Sequence, residues 1–233
     1  MDLTLKFKKY EQWFLSASGK RLEQELLQVL RQIDFSDWKG RFLQIGSSGE
    51  NPWLSDLDFA SKWLLLPHDK KNVDIIAYPH EIPLPSHILD VIFAPFVLDL
   101  GVDVEKFLFE IDRVLSSMGV VVLIGLNPTG VWRLSRFFSW SKKNWYQSKQ
   151  SCSAWQLKKS LQKLDYQCLQ LDFFYYIPPV QHPVMIRYFN WVNRLSRMIA
   201  LYPPSFYVLM MQKNESGLLP VEKRILCEYN IRF

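Results

Sequence analysis

Apolar residues along this chain follow two periods. Leu22, Leu26, Leu27, Val29, Leu30 and Ile33 recur at helical spacing behind Ser16 or Ser18, either of which can cap a helix. The pattern predicts a leading helix over about 16–33. Short runs of strand length follow at Arg41 to Ile45, Lys62 to Leu66, Asp74 to Tyr78, Leu89 to Ala94 and Val120 to Ile124. The last of these is apolar without interruption, the pattern of a strand buried on both faces. Helical spacing returns between the fourth and fifth runs. There Phe107, Leu108, Ile111, Val114 and Leu115 form a stripe, and Lys106, Glu110 and Arg113 point the other way. Met118-Gly119 is expected to close that helix, with glycine in the left-handed conformation. A short helix is expected over Leu54 to Ala60 and another over Ser153 to Leu164, with Leu157, Leu161 and Leu164 on one side. Tyr166 to Ile177 and Phe206 to Gln212 read as aromatic strands that form an antiparallel pair. Between them His182 to Ala200 reads as an amphipathic helix bounded by Pro178-Pro179 and Pro203-Pro204.

Strands that alternate with helices predict an α/β fold with a mostly parallel sheet. At 233 residues the chain suits one domain, 1–233, with the 182–200 segment as an insertion before the last strand. The start, MDLTLKFKKYEQWF, lacks the apolar core of a secretion signal. No apolar run approaches the ~18 residues of a spanning helix. Cys152, Cys168 and Cys227 have no metal-type spacing and read as reduced thiols of a cytoplasmic protein. His68, His80 and His87 lie across a proline-rich stretch and read as surface histidines, so no metal is expected.

Charge divides the chain. Residues 1–112 hold 12 Lys/Arg against 18 Asp/Glu, and residues 113–233 hold 16 against 5. The basic half is also aromatic, with Trp132, Phe137, Phe138, Trp140, Trp145, Tyr146, Trp155, Tyr188, Phe189 and Trp191. Such a half suits nucleic acid, anionic lipid or an acidic protein, and equally a solvated face around core aromatics.

The text LDVIFAPFVLD from Leu89 to Asp99 is followed by EIDRVL at Glu110 to Leu115, GLNP at Gly125 to Pro128 and VWRL at Val131 to Leu134. Together these resemble the back half of class I S-adenosylmethionine-dependent methyltransferases. They are similar to bacterial members whose motif runs roughly PHVLEF, DRVL and GFNP.SLW. Ile82-Pro83-Leu84-Pro85 with Asp90 beyond, and Phe206 to Leu209 with Lys213, resemble further elements of the same fold. The resemblance implies a Rossmann-like, seven-stranded, mostly parallel sheet with helices on both faces and an antiparallel last strand. It also implies S-adenosylmethionine as cofactor and methyl transfer to an unnamed acceptor.

Carried over residue by residue, the resemblance places the cofactor loop at Gly46-Ser47-Ser48-Gly49, where Ser48 stands in for a central glycine. Glycine there lets backbone approach a ligand closely and take positive φ. The acid expected at the end of the second strand, for the ribose hydroxyls, is Asp69. Tyr78 falls where the adenine-side acid would stand, and Ala94, Pro95 and Phe96 fall beside the sulfonium. Asn127, Trp132 and Arg133 lie on the substrate side, although Asn127-Pro128-Thr129-Gly130 lacks the Pro-Tyr that completes the amino-methyltransferase motif. Replacing Gly46 by valine is expected to block the loop and spare the fold. The departures at Ser48 and Tyr78 leave a second function open: a degenerate methyltransferase fold that serves as a binding or regulatory module.

Overall fold

The computed structural model describes residues 2–134, 152–177 and 203–214, the side chains of 133 and 134 excepted. The helix expected over 182–200 lies outside them, as does most of the basic aromatic half.

The chain opens with two helices where the hydrophobic pattern predicts one. α1 spans Leu3–Phe14 and α2 spans Ala17–Gln32. Asp2 caps the first by accepting from the Thr4 amide, and Ser16 caps the second by accepting from the Gly19 amide. α1 is amphipathic, with Phe7, Tyr10, Trp13 and Phe14 buried. The two helices meet at Gly19, where a Cβ would fall against the backbone of Trp13 and Phe14. Glycine is required here for close approach.

Seven strands follow: β1 (Arg41–Ile45), β2 (Ser61–Leu66), β3 (Ile75–Ile76), β4 (Leu89–Pro95), β5 (Leu115–Leu126), β6 (Tyr166–Phe174) and β7 (Phe206–Lys213). They form one sheet in the order β3-β2-β1-β4-β5-β7-β6. β1 pairs in parallel with β2 and β4, β2 with β3, and β4 with β5. β7 runs antiparallel to both β5 and β6. The order reverses between β1 and β4, and the carboxyl ends of such strands are where open sheets of this type bind ligands. Consecutive residues of β4 and β5 are buried, so both faces of the sheet are covered there.

Helices between strands are sparse. α3 is only Trp53–Asp56, and turns alone join β2 to β3 and β3 to β4. α4 (Val104–Val114) buries Phe107, Leu108, Ile111 and Val114, the expected stripe. It ends four residues before Met118. That methionine, and not Gly119, takes the left-handed conformation, with φ 63°. Its carbonyl accepts from Trp38 Nε1 at 2.7 Å and from Gln212 Nε2 at 3.1 Å. Gly119 serves space instead, because a Cβ there would stand 2.9 Å from Leu115 Cγ. Glu110 and Arg113 are not simply solvated either. Arg113 donates to the carbonyls of Ile82 and Leu84, both at 2.8 Å, while Glu110 accepts from the Ile82 amide at 3.0 Å. The pair thereby clasps the loop after β3.

The final described elements are α5 (Val131–Leu134) and α6 (Ala154–Gln162). Ser153 and Gln156 form a reciprocal cap on α6. α6 stops short of Leu164, which is exposed and not part of its buried side. Cys168 is disulfide-bonded, contrary to the reduced state expected of all three cysteines, whereas Cys152 is free. A disulfide removes one support for a reducing, cytoplasmic setting. Among the described residues no helix is long and apolar enough to cross a membrane.

Candidate functional site

The loop after β1 is built from polar side chains turned inward. Gly46, Gly49 and Asn51 have φ of 88°, 81° and 52°, so the backbone folds back three times within six residues. Asn51 holds that shape. Its Oδ1 accepts from the Ser48 amide and from Gln44 Nε2, both at 2.8 Å, and its Nδ2 donates to Ser47 Oγ at 3.0 Å. Gln44 is fixed in turn by Trp53 Nε1, which donates to its Oε1 at 2.8 Å. Ser47, Ser48 and Gln44 are fully buried.

α1 lies across this loop. The Tyr10 and Ser48 hydroxyls are 2.5 Å apart. A Cβ at Gly46 would stand 3.4 Å from Val97 Cγ2 and 3.5 Å from Phe7 Cε1. The space beside Gly46 is therefore filled by Val97 and by the Phe7 ring of α1. Phe96, with φ 58°, ends β4 in the same cluster, 6.1 Å from the Tyr10 ring and 5.2 Å from Phe206. Ala94, Pro95 and Phe96 are all buried. Burial pushes the Tyr10 hydroxyl well above its ordinary pKa, and the Ser48 hydrogen bond offsets this only in part.

The open space lies on the flank of α1. A cavity of about 890 Å³ is lined by Lys8, Glu11, Gln12 and Leu15, by Ser47, Gly49 to Pro52, Leu54 and Ser55, and by Leu64 and Lys70 to Asn72. It therefore sits between α1, the β1 loop and the loop after β2. Pockets for small ligands and cofactors have volumes of about 300–1,000 Å³. Lys70 bridges its walls, donating to Ser47 Oγ at 3.0 Å and pairing with Glu11 Oε2 at 3.3 Å. His68 Nε2 stands 3.4 Å from the same carboxylate oxygen. Glu11 Oε1 and His68 Nδ1 are buried and have no hydrogen-bond partner.

Of the residues singled out from sequence, Ser47 and Gly49 line the cavity. Gly46 and Ser48 sit behind it, against Phe7 and Tyr10. Asp69 is exposed beyond β2 and is not among the cavity's lining residues. Tyr78 is half-exposed, stacks on His80 and reaches Thr4 Oγ1 of α1 at 3.4 Å. Asn127 is spent on the turn that follows β5. It donates to the Pro204 carbonyl at 2.8 Å and accepts from the Thr129 hydroxyl at 3.0 Å. Trp132 is fully buried, donates to the Ile177 carbonyl at 2.7 Å and packs 5.3 Å from Trp13. The Arg133 side chain lies outside the described residues. Tyr166, Tyr175, Tyr176 and Tyr207 of the basic half are core, while Trp155 is exposed with Lys158 over its ring. Among the described residues no group of His, Cys, Asp and Glu is arranged to hold a metal.

The sequence reading missed Lys8, Glu11 and Gln12. The signal was present: Phe7, Tyr10, Trp13 and Phe14 recur at helical spacing in the first fourteen residues.

No family model matches the chain, and no curated protein matches it. Solved structures do. A methyltransferase from Thermotoga maritima, described as S-adenosylmethionine-dependent and a possible histamine N-methyltransferase, is similar with a TM-score of 0.60 at 18% identity. The match covers 89% of this chain and 96% of that one. An S-adenosylmethionine-dependent methyltransferase from Archaeoglobus fulgidus is similar with a TM-score of 0.58 at 18% identity, over 84% of this chain and 94% of that one. The [4+2]-cyclase SpnF is similar too, with a TM-score of 0.54 at 15% identity, over 82% of this chain and 80% of that one. The fold is thus that of class I methyltransferases, Rossmann-like, with seven strands and an antiparallel β7 as the resemblance implied.

Proposed function

We propose that this chain binds S-adenosylmethionine in the cavity between α1 and the loops after β1 and β2, and transfers its methyl group to an acceptor. The observation that carries this reading is the Gly46–Gly49 loop. It follows β1 at the sheet's reversal point, both glycines are left-handed, and Ser47 and Gly49 face a cavity of about 890 Å³. The residues present fit the cofactor in a second respect. Glu11 Oε1 and His68 Nδ1 are buried polar atoms without partners at the end of β2, where a ribose would need acceptors and donors.

When bound, the cofactor supplies a methyl group already activated on a sulfonium. The protein's contribution is then chiefly to hold that group in line with the acceptor atom. Ser47 and Gly49 would orient the amino-acid end. Lys8 and Lys71, exposed and among the residues lining the cavity, would favour an acceptor of negative charge.

A second reading has its own observation. Phe96, at the end of β4 where a methyl group would meet its acceptor, is fully buried under Tyr10 and Phe206. This favours a binding module that keeps the fold and has lost the transfer, and SpnF illustrates that a chain with this fold need not be named for methylation. Isothermal titration with S-adenosylmethionine and S-adenosylhomocysteine tests the first reading. Micromolar binding is expected, and no heat at millimolar ligand overturns it. Binding without turnover to S-adenosylhomocysteine across nucleophile-bearing acceptors selects the second.

A further inference from the structure

We propose that Glu11, carried by α1, is the carboxylate that receives the ribose hydroxyls, in place of an acid on the strand. This rests on the reading that the cavity takes S-adenosylmethionine.

A vicinal diol is held best by a carboxylate with an oxygen to spare, because hydrogen bonds to a charged acceptor are the strong ones. Few acids stand near the end of β2. Asp69 is exposed and is not among the residues lining the cavity. Asp74 is committed, since its Oδ2 accepts from the Leu64 amide at 2.8 Å. Glu50 lines the cavity but is exposed on the β1 loop, where water competes for its oxygens. Glu11 is different. Its side chain is 12% exposed and lines the cavity, and its two oxygens are in unequal positions. Oε2 faces Lys70 Nζ at 3.3 Å and His68 Nε2 at 3.4 Å. Oε1 is buried and accepts nothing.

A buried carboxylate oxygen without a partner is costly to a folded protein. Oε1 is closed off as placed, and a turn of the carboxylate toward the cavity would relieve that cost by bringing it to a ligand donor. His68 repeats the pattern beside it. Its side chain is 8% exposed, and Nδ1 is buried and unpartnered while Nε2 faces Glu11. Lys70 supplies the counter-charge and ties Glu11 to Ser47 of the cofactor loop. α1 is rigidly seated by Phe7, Tyr10 and Phe14 and by its close approach to Gly19, so Glu11 is held by a fixed element. The strand-end acid has thus been replaced from a different part of the chain. Asp69 is left as a surface residue.

The test compares the affinity of S-adenosylhomocysteine with that of its 2′,3′-dideoxyribose analogue by isothermal titration, in wild type, Glu11→Gln and Asp69→Asn. Circular dichroism confirms that the variants are folded. Wild type should prefer the diol by ~10- to 100-fold, the range for a charge-assisted hydrogen bond. Glu11→Gln should lose most of that preference, and Asp69→Asn should keep it. Binding of S-adenosylhomocysteine with the preference intact in Glu11→Gln overturns the assignment alone. So does its loss in Asp69→Asn. No binding by wild type overturns the cofactor reading and this assignment with it.

Discussion

Raising the pH above about 10 should unfold this protein through four buried tyrosines. Tyr10, Tyr166, Tyr175 and Tyr207 are each at most 3% exposed. Burial raises the pKa of every one of these hydroxyls in the folded protein, with Asp112 adding to the effect at Tyr166, Glu25 at Tyr175 and Asp99 at Tyr207. In the unfolded chain a tyrosine titrates near its ordinary value of about 10. Above that pH the unfolded state releases these protons while the folded state retains them. Stability contributed by the four groups is therefore complete below pH 10 and falls as pH rises toward the folded values. Each group contributes a slope of at most about 1.4 kcal/mol per pH unit, so four together remove up to about 6 kcal/mol by pH 11 and up to about 11 kcal/mol by pH 12. A domain in the lower two-thirds of the usual ~5–15 kcal/mol range of stability should unfold within that window. The assay is a pair of titrations on one sample, absorbance at 295 nm for tyrosinate and circular dichroism for fold. A block of tyrosines should ionise only as the dichroism collapses. Tyr175→Phe removes one of the four groups, so the loss of stability by pH 11 should shrink by about a quarter. If all tyrosines ionise with a midpoint near 10 while the dichroism stays native, the burial argument is refuted.

Gly19→Ala drives a methyl into the backbone of α1 and should cost about 1–3 kcal/mol in urea unfolding; an unchanged midpoint would show that α1 is not seated there. Gly46→Val should lower stability rather than act as a silent block of the loop, because φ 88° and contacts with Val97 and Phe7 leave valine no relaxed position. Its melting temperature against wild type decides. Arg113→Ala should cost about 1–3 kcal/mol by releasing the loop at Ile82 and Leu84. The hydrogen bond from Arg113 lowers the Glu110 pKa, so the pair's contribution is present at neutral pH and fades as pH drops below about 4.5, while Arg113→Ala should not show that fade. Under denaturing, non-reducing conditions Cys168 should resist alkylation until reductant is added. In the native protein Cys152, whose thiol is pushed up by burial, should react slowly at neutral pH.

Much of the fold was legible because strand length and helix period are local signals. The runs at 41–45, 89–94, 120–124 and 206–212 each became a strand within a few residues, and the stripe on α4 is buried as its spacing requires. The site was less legible. Sequence motifs direct attention to loops that follow strands, whereas the cavity's third wall comes from α1, more than thirty residues upstream of the β1 loop. Local spacing also cannot distinguish Gly19, needed for close packing, from Gly46, needed for positive φ. At Met118 a non-glycine residue takes the left-handed turn, because Trp38 and Gln212 both donate to its carbonyl. Arg113 looked like a solvent-facing helix residue because its carbonyl partners lie about thirty residues away in the chain.

The seating of α1 has a consequence for how the protein is made. Its residues leave the ribosome well before their partners: Tyr10 meets Phe96, and Trp13 meets Trp132 at 5.3 Å. Closing contacts of such long sequence separation is slow, since chain entropy is lost before the contact is gained. Until β5 and α5 have been synthesised, α1 has no sheet end to cover, and its Phe7, Tyr10, Trp13 and Phe14 face water or a chaperone. The wall that carries Glu11 is then set in place only after α5 emerges, so a site competent for ligand marks a chain synthesised at least that far.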